Sequence, residues 1–162
     1  LIYGLIAIPT KSYVQPLVIM SVIPFGIIGA IWGHYLLGRT INMMSIYGFI
    51  ALTGVVVNDS LIMVDFVNRA KQQGIRIKDA VVQAGTQRFR AILLTSLTTF
   101  IGLAPIMMET SMQAKMVIPM AVSLAFGVLF ATGVTLILIP ALYVIIEDIY
   151  TDPGLSGGPK ID

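Results

Sequence analysis

Apolar residues run through this chain in long stretches, and polar residues gather between them. Four stretches, 16–37, 44–67, 91–108 and 116–146, reach the length a helix needs to cross a hydrocarbon core, about 20 residues. A fifth, 1–9, is too short. Backbone amides find no water in lipid, so such stretches must be helices that satisfy their own hydrogen bonds. The pattern predicts an all-α membrane protein, a bundle of four full transmembrane helices plus a truncated one at the N-terminus. Leu1 opens directly in an apolar run, with neither the charged region nor the small-residue cleavage site of a signal peptide. It reads as the end of a longer helix, and the chain as the C-terminal piece of a larger protein.

Small residues mark where helices should meet. Gly29 and Gly33 form a small-xxx-small pair in the first full stretch, and Ser123, Gly127, Ala131 and Thr135 recur at every fourth position of the last. Such stripes let helix backbones approach closely. The last stretch, 116–146, has 31 residues. As one helix it would measure about 46 Å, against a core of roughly 30 Å. Tilt, ends buried in the interface, or a break near Pro140 must absorb the excess. Beyond it, 149–162 carries Pro153, Gly154, Gly157, Gly158 and Pro159 and is predicted to be a disordered tail.

Composition supports the membrane reading. Of the 162 residues, 57% are hydrophobic and 11% charged, where soluble domains carry about 25% charged residues. There is no cysteine, so there is no disulfide framework, and His34 is a lone histidine expected near the interface. Six of the ten Lys and Arg residues lie in 68–90, the loop expected between the second and third full stretches. The loops at 38–43 and 109–115 hold one each. Basic loops stay in the cytoplasm, which puts 68–90, a short turn at Lys11 and the C-terminal tail on that side. Within 68–90, residues 77–84 show a short helical pattern expected to lie along the membrane surface.

The candidate chemistry sits inside the second full stretch. Asn58 and Asp59 interrupt an apolar segment, 54–66. A carboxylate near the bilayer centre costs about 2.5–3.5 kcal/mol on insertion scales, and intramembrane acids commonly mark ion or proton paths. Asp59 is therefore the primary candidate for a proton-binding group; a plain helix–helix hydrogen bond is its structural alternative, as it is for Asn58. Asp65 and Arg69 are spaced to form an i,i+4 ion pair near the cytoplasmic end. Arg88, Ile92, Thr95 and Thr99 share a stripe of the third stretch. Arg88 and Thr95 could face the second helix and order water or relay a proton, or Arg88 could snorkel to the interface. Met107, Met108, Met112, Met116 and Met120 read as flexible packing. No GxSxG, HExxH or GxxxxGK[ST] pattern occurs, so an enzyme, a cofactor site, a metal centre and a nucleotide site are not expected. Nor is a nucleic-acid partner.

Three segments in order, 54–66, 88–100 and 118–143 with its Pro119 and Pro140, resemble the C-terminal membrane region of the resistance–nodulation–division (RND) permeases, above all the multidrug efflux permeases. The resemblance covers 1–148. It implies a fragment of a twelve-helix permease in the bacterial inner membrane, holding the end of the eighth helix and all of the ninth to twelfth. It further implies proton-driven export of amphiphilic compounds or drugs by a homotrimer. The expected partners are the remainder of the permease, a periplasmic adaptor protein, an outer-membrane channel and the lipid bilayer. The family's relay uses a lysine on the tenth helix and an arginine and a threonine on the eleventh; Arg88 and Thr95 match the latter two. Asn58 stands at the lysine position, and Asp59 follows where drug pumps often have Asn, so the charge balance of this relay departs from the family's. The alternative is a non-transporting membrane scaffold or a protein-secretion accessory of the same superfamily. With no periplasmic domain, the chain alone is expected to be inactive.

Overall fold

The computed structural model describes residues 3, 4, 6, 8 and 14–151. Lys11, most of the stretch 1–9 and most of the expected tail lie outside the described residues. The described chain is helical, with no strand. The helices are α1, Val14–Met20, α2, Ile23–Leu36, α3, Met43–Gln72, α4, Ile77–Met108, and α5, Met112–Thr151. Four spans, Val14–Leu36, Met43–Ala70, Asp79–Met108 and Met112–Ile146, are long and apolar enough to cross a membrane.

The first span is one stretch in two helices. Pro24 has no N–H for the carbonyl four residues earlier, and its ring crowds that carbonyl. The chain turns at Ser21 and Val22, where the Ser21 hydroxyl donates to the Val18 carbonyl at 2.6 Å. Glycines then close two helices. Gly38 adopts φ +59° and Gly74 φ +81°. The amide after each donates back five residues, Arg39 to the His34 carbonyl at 2.9 Å and Ile75 to the Ala70 carbonyl at 3.2 Å. These are Schellman closures, in which a left-handed glycine lets the last carbonyls find donors.

The expected loop 68–90 is a correction. α3 continues to Gln72, and α4 begins at Ile77, so the connection is four residues long. Residues 77–84 do not form a separate surface helix; they are the first turns of α4. Ala80, Val81 and Ala84 are buried, and the latter two pack on Val67 of α3. That apolar stripe holds the extension upright, against the pull of its charges toward water.

α5 organises the bundle, packing along α2, α3 and α4. Ser123, Gly127, Ala131 and Thr135 are all buried, as the stripe predicts. A Cβ on Gly127 would strike the Leu52 side chain, and one on Gly48 would stand 2.6 Å from both the Met120 carbonyl and the Ser123 Cβ. The main core joins Ile19, Val22, Ala30, Leu52, Val56, Met63, Val128, Ala131 and Ile139, from α1, α2, α3, α5 and the α1–α2 turn. α5 runs unbroken through Pro119 and Pro140 for 40 residues, about 60 Å, so its excess length extends beyond any single bilayer crossing. Among the described residues α4 contributes nothing to the main core, and 11% of its most apolar window is buried. It is a peripheral helix.

Candidate functional site

Asp59 lies on the inward face of α3. It is 8% exposed and follows Leu52 and Val56 on the buried stripe that Met63 continues. Sixteen residues separate it from Met43, the start of the span, which puts it about 24 Å along a span of about 40 Å. An acid at mid-depth, turned into protein, is the arrangement by which a carboxyl group is tolerated in a membrane. Among the described residues no ion pair or hydrogen bond occupies its carboxylate. Next to it Ser60 is fully buried, and its Oγ has no hydrogen-bond partner among the described residues.

Asn58 faces elsewhere. Adjacent residues of an α-helix point about 100° apart, and Asn58 is exposed while Asp59 is buried. It heads an exposed stripe with Ile62, Asp65 and Arg69. At the foot of that stripe Arg69 Nε donates to Asp65 Oδ2 at 2.9 Å, the expected surface ion pair.

Arg88 and Thr95 part company. The Arg88 guanidinium lies 5.3 Å from the centre of the Phe66 ring, so it does reach α3. Its Nε is buried without a hydrogen-bond partner among the described residues. Thr95 is exposed, and its hydroxyl donates to the Ala91 carbonyl of its own helix at 2.9 Å. The residue that α4 turns into the bundle at that level is Ser96, fully buried and hydrogen-bonded to the hydroxyl of Thr132 on α5. Thus Asp59 and Arg88 both engage the interior of the bundle, whereas Asn58 and Thr95 look outward from it. The expectation that Thr95 faces α3 from this chain is corrected: the Ser96–Thr132 contact fixes the rotation of α4.

Sequence reasoning passed over the buried hydroxyls Ser45, Ser60, Ser96 and Thr132. A hydroxyl in an apolar run bonds to its own helix as readily as to a neighbour, so its spacing carries no direction. His34, expected at the interface, is 2% exposed. Among the described residues no group of three or more His, Asp or Glu is placed to hold a metal ion.

A family model, that of the AcrB/AcrD/AcrF family, matches residues 1–147. The chain belongs to this family of RND permeases. It is also similar to two solved structures of a heavy metal efflux pump, in crystal forms I and II, each 34% identical. The first match covers 82% of this chain with a TM-score of 0.72, the second 90% with 0.80. The chain spans 13% and 14% of the length of those pump chains. In this RND chain the family match covers the whole of α3, which carries Asp59 inward and Asn58 outward.

Proposed function

We propose that the chain is the C-terminal membrane part of a proton-driven RND efflux transporter, and that Asp59 binds and releases the coupling proton. The observation that carries this reading is a buried carboxyl group at mid-depth of a helix able to cross the membrane, with no partner among the described residues. A charge moved across the membrane potential is worth about 2.3 kcal/mol per 100 mV, enough to bias one arrangement of a helix bundle over another. With Asn58 in place of the lysine, no ammonium neighbours Asp59 along α3, and Arg88, stacked on Phe66 about two turns along α3 from Asp59, is a cation that reaches α3 from the neighbouring helix. The turn between α3 and α4 is cytoplasmic in this reading, the membrane is the bacterial inner membrane, and the parent is a homotrimer that docks to a periplasmic adaptor and an outer-membrane channel.

The cargo has two readings. The multidrug resemblance favours amphiphilic compounds. The two solved structures at 34% identity are those of a heavy metal efflux pump, which favours metal ions as cargo. One experiment serves both. The permease carrying Asp59→Asn is expressed in cells lacking their own exporters, and survival is scored on amphiphilic drugs and on heavy-metal salts. The unaltered permease is expected to protect against one class, and Asp59→Asn to abolish that protection at equal protein level. Full protection by Asp59→Asn removes Asp59 from the mechanism; protection against neither class by the unaltered permease favours the scaffold or secretion reading.

A further inference from the structure

Among the described residues Ser60 Oγ, Arg88 Nε and Tyr143 Oη are buried polar atoms with no hydrogen-bond partner. Such groups are rare in folded proteins and each asks for a cause. The described helices themselves cover these atoms, so in this arrangement no further segment of a longer chain can reach them. Two of them, Arg88 Nε and Tyr143 Oη, stand on facing helices at nearly one level.

The register follows from two contacts. α4 and α5 run antiparallel, and Ser96 meets Thr132. Eight residues back along α4, Arg88 is level with Pro140, eight residues on along α5; by the same count Ala84 is level with Val144. The packing agrees, because Tyr143 and Val144 rest on the cluster of Val67, Val81 and Ala84. Helical side chains lean toward the N-terminus of their own helix, so the Tyr143 ring leans from the level of Ala84 toward that of Arg88. Arg88 follows Ala84 by one turn on the same face of α4. Phe66, whose ring centre lies 5.3 Å from the guanidinium, packs on the same cluster. A donor and an acceptor, both buried and both unpaired, therefore border one small apolar cluster.

We propose that Tyr143 is a positioning residue for Arg88: its hydroxyl accepts a hydrogen bond from Arg88 Nε in a second arrangement, in which the guanidinium has left Phe66. The two arrangements exchange one favourable contact for another. On Phe66 the cation has the ring face, but two buried polar atoms go unsatisfied, each at a cost. On Tyr143 it gives up the ring and both atoms are paired. The charge on Asp59 decides between them, a step that rests on proton binding there. Gly48 meets Met120 and Ser123, and Gly127 meets Leu52, so α3 and α5 run parallel and Asp59 is level with Val134. That is six residues, about 9 Å, from the level of Arg88. An ionised Asp59 draws the guanidinium to α3; a protonated one releases it toward α5. The other charges near this level do not compete. Asp65 and Arg69 are exposed and paired with each other, Arg90 is exposed, and α5 has no charged residue from Met116 to Ile146. One arginine thus carries the state of the proton site from α3 to α5.

The test uses the full-length permease. Tyr143→Phe keeps the ring and removes the acceptor. It is expected to lower the maximal export rate by roughly tenfold, equal to 1.4 kcal/mol, with the half-saturating cargo concentration unchanged. Full export by Tyr143→Phe beside a silent Asp59→Asn overturns the role of Tyr143 and leaves Asp59 in place. Full export by Asp59→Asn removes the proton reading and its arginine switch together. A second readout is one that packing alone would not move, and it decides the matter if Tyr143→Phe lowers the protein level. With 4-cyanophenylalanine at position 143, the nitrile stretch rises when the nitrile accepts a hydrogen bond. The stretch is expected at its free frequency under alkaline conditions, to rise when Asp59→Asn removes the charge, and to fall back when Arg88→Leu is added. A stretch that ignores either substitution overturns the pairing.

Discussion

His34 shows how one side chain can join two helices. Its Nδ1 lies 2.9 Å from the Ala30 carbonyl, which can only accept, so Nδ1 carries the proton. Nε2 is then left to accept from the Ser45 hydroxyl at 2.8 Å, and Ser45 Oγ in turn accepts the Asn42 amide at 3.2 Å. The end of α2 is thereby tied to the start of α3 across the turn at Gly38. His34→Phe keeps the bulk and removes both acceptor and donor, leaving the buried Ser45 hydroxyl without its partner. A loss of about 1–3 kcal/mol is expected, read as a lower detergent-denaturant midpoint. Ser45→Ala should fall in the same range, and the double variant should lose less than the sum, because the two share one bond. A fully additive pair would show that the histidine acts through packing alone.

At the scale of the element, α5 is the wall on which the other spans are built. Gly127 faces Leu52, so Gly127→Val drives a branched side chain into a filled position, and overpacking of this kind costs about 1–3 kcal/mol. The same denaturant titration should show that loss, while Gly133→Ala, into open space, should hold or raise the midpoint. Equal effects of the two would refute the packing described for Gly127. The stripe at 123, 127, 131 and 135 was legible in the sequence because small residues at helical spacing have one common use in lipid. The spans themselves were legible for the same reason, apolar length. Hydropathy reads a helix that leaves the bilayer as a loop, which is why 77–90 was missed as part of α4: Arg88, Arg90 and Asp79 are polar, but Val81 and Ala84 still pack on Val67. The inward turn of Asp59 was not legible either. Asn58 and Asp59 are neighbours in sequence, and which of them meets the core depends on where Leu52 and Met63 settle against the other helices. For α4 the deciding contact was Ser96 with Thr132, which a hydropathy pattern does not distinguish from Thr95 or Thr98.

The whole molecule has one charged end and one nearly uncharged end. The short turn between α3 and α4 gathers Arg69, Arg76 and Asp79 with their ion pairs, 2.9 Å for Arg69–Asp65 and 3.1 Å for Arg76–Asp79, while the turn after α2 carries Arg39 alone among its charges. Because arginine and lysine resist translocation, the bundle should insert one way round, and that sense sets the side from which Asp59 would take up its proton. The absence of cysteine makes the test clean. Gln73→Cys sits in the basic turn and Thr110→Cys in the turn between α4 and α5, each in an otherwise cysteine-free chain. In intact cells with a permeabilised outer membrane, a membrane-impermeant maleimide should label Thr110→Cys and spare Gln73→Cys until the inner membrane is opened. The reverse pattern would invert the bundle, place the basic turn outside, and turn the proposed proton path upside down.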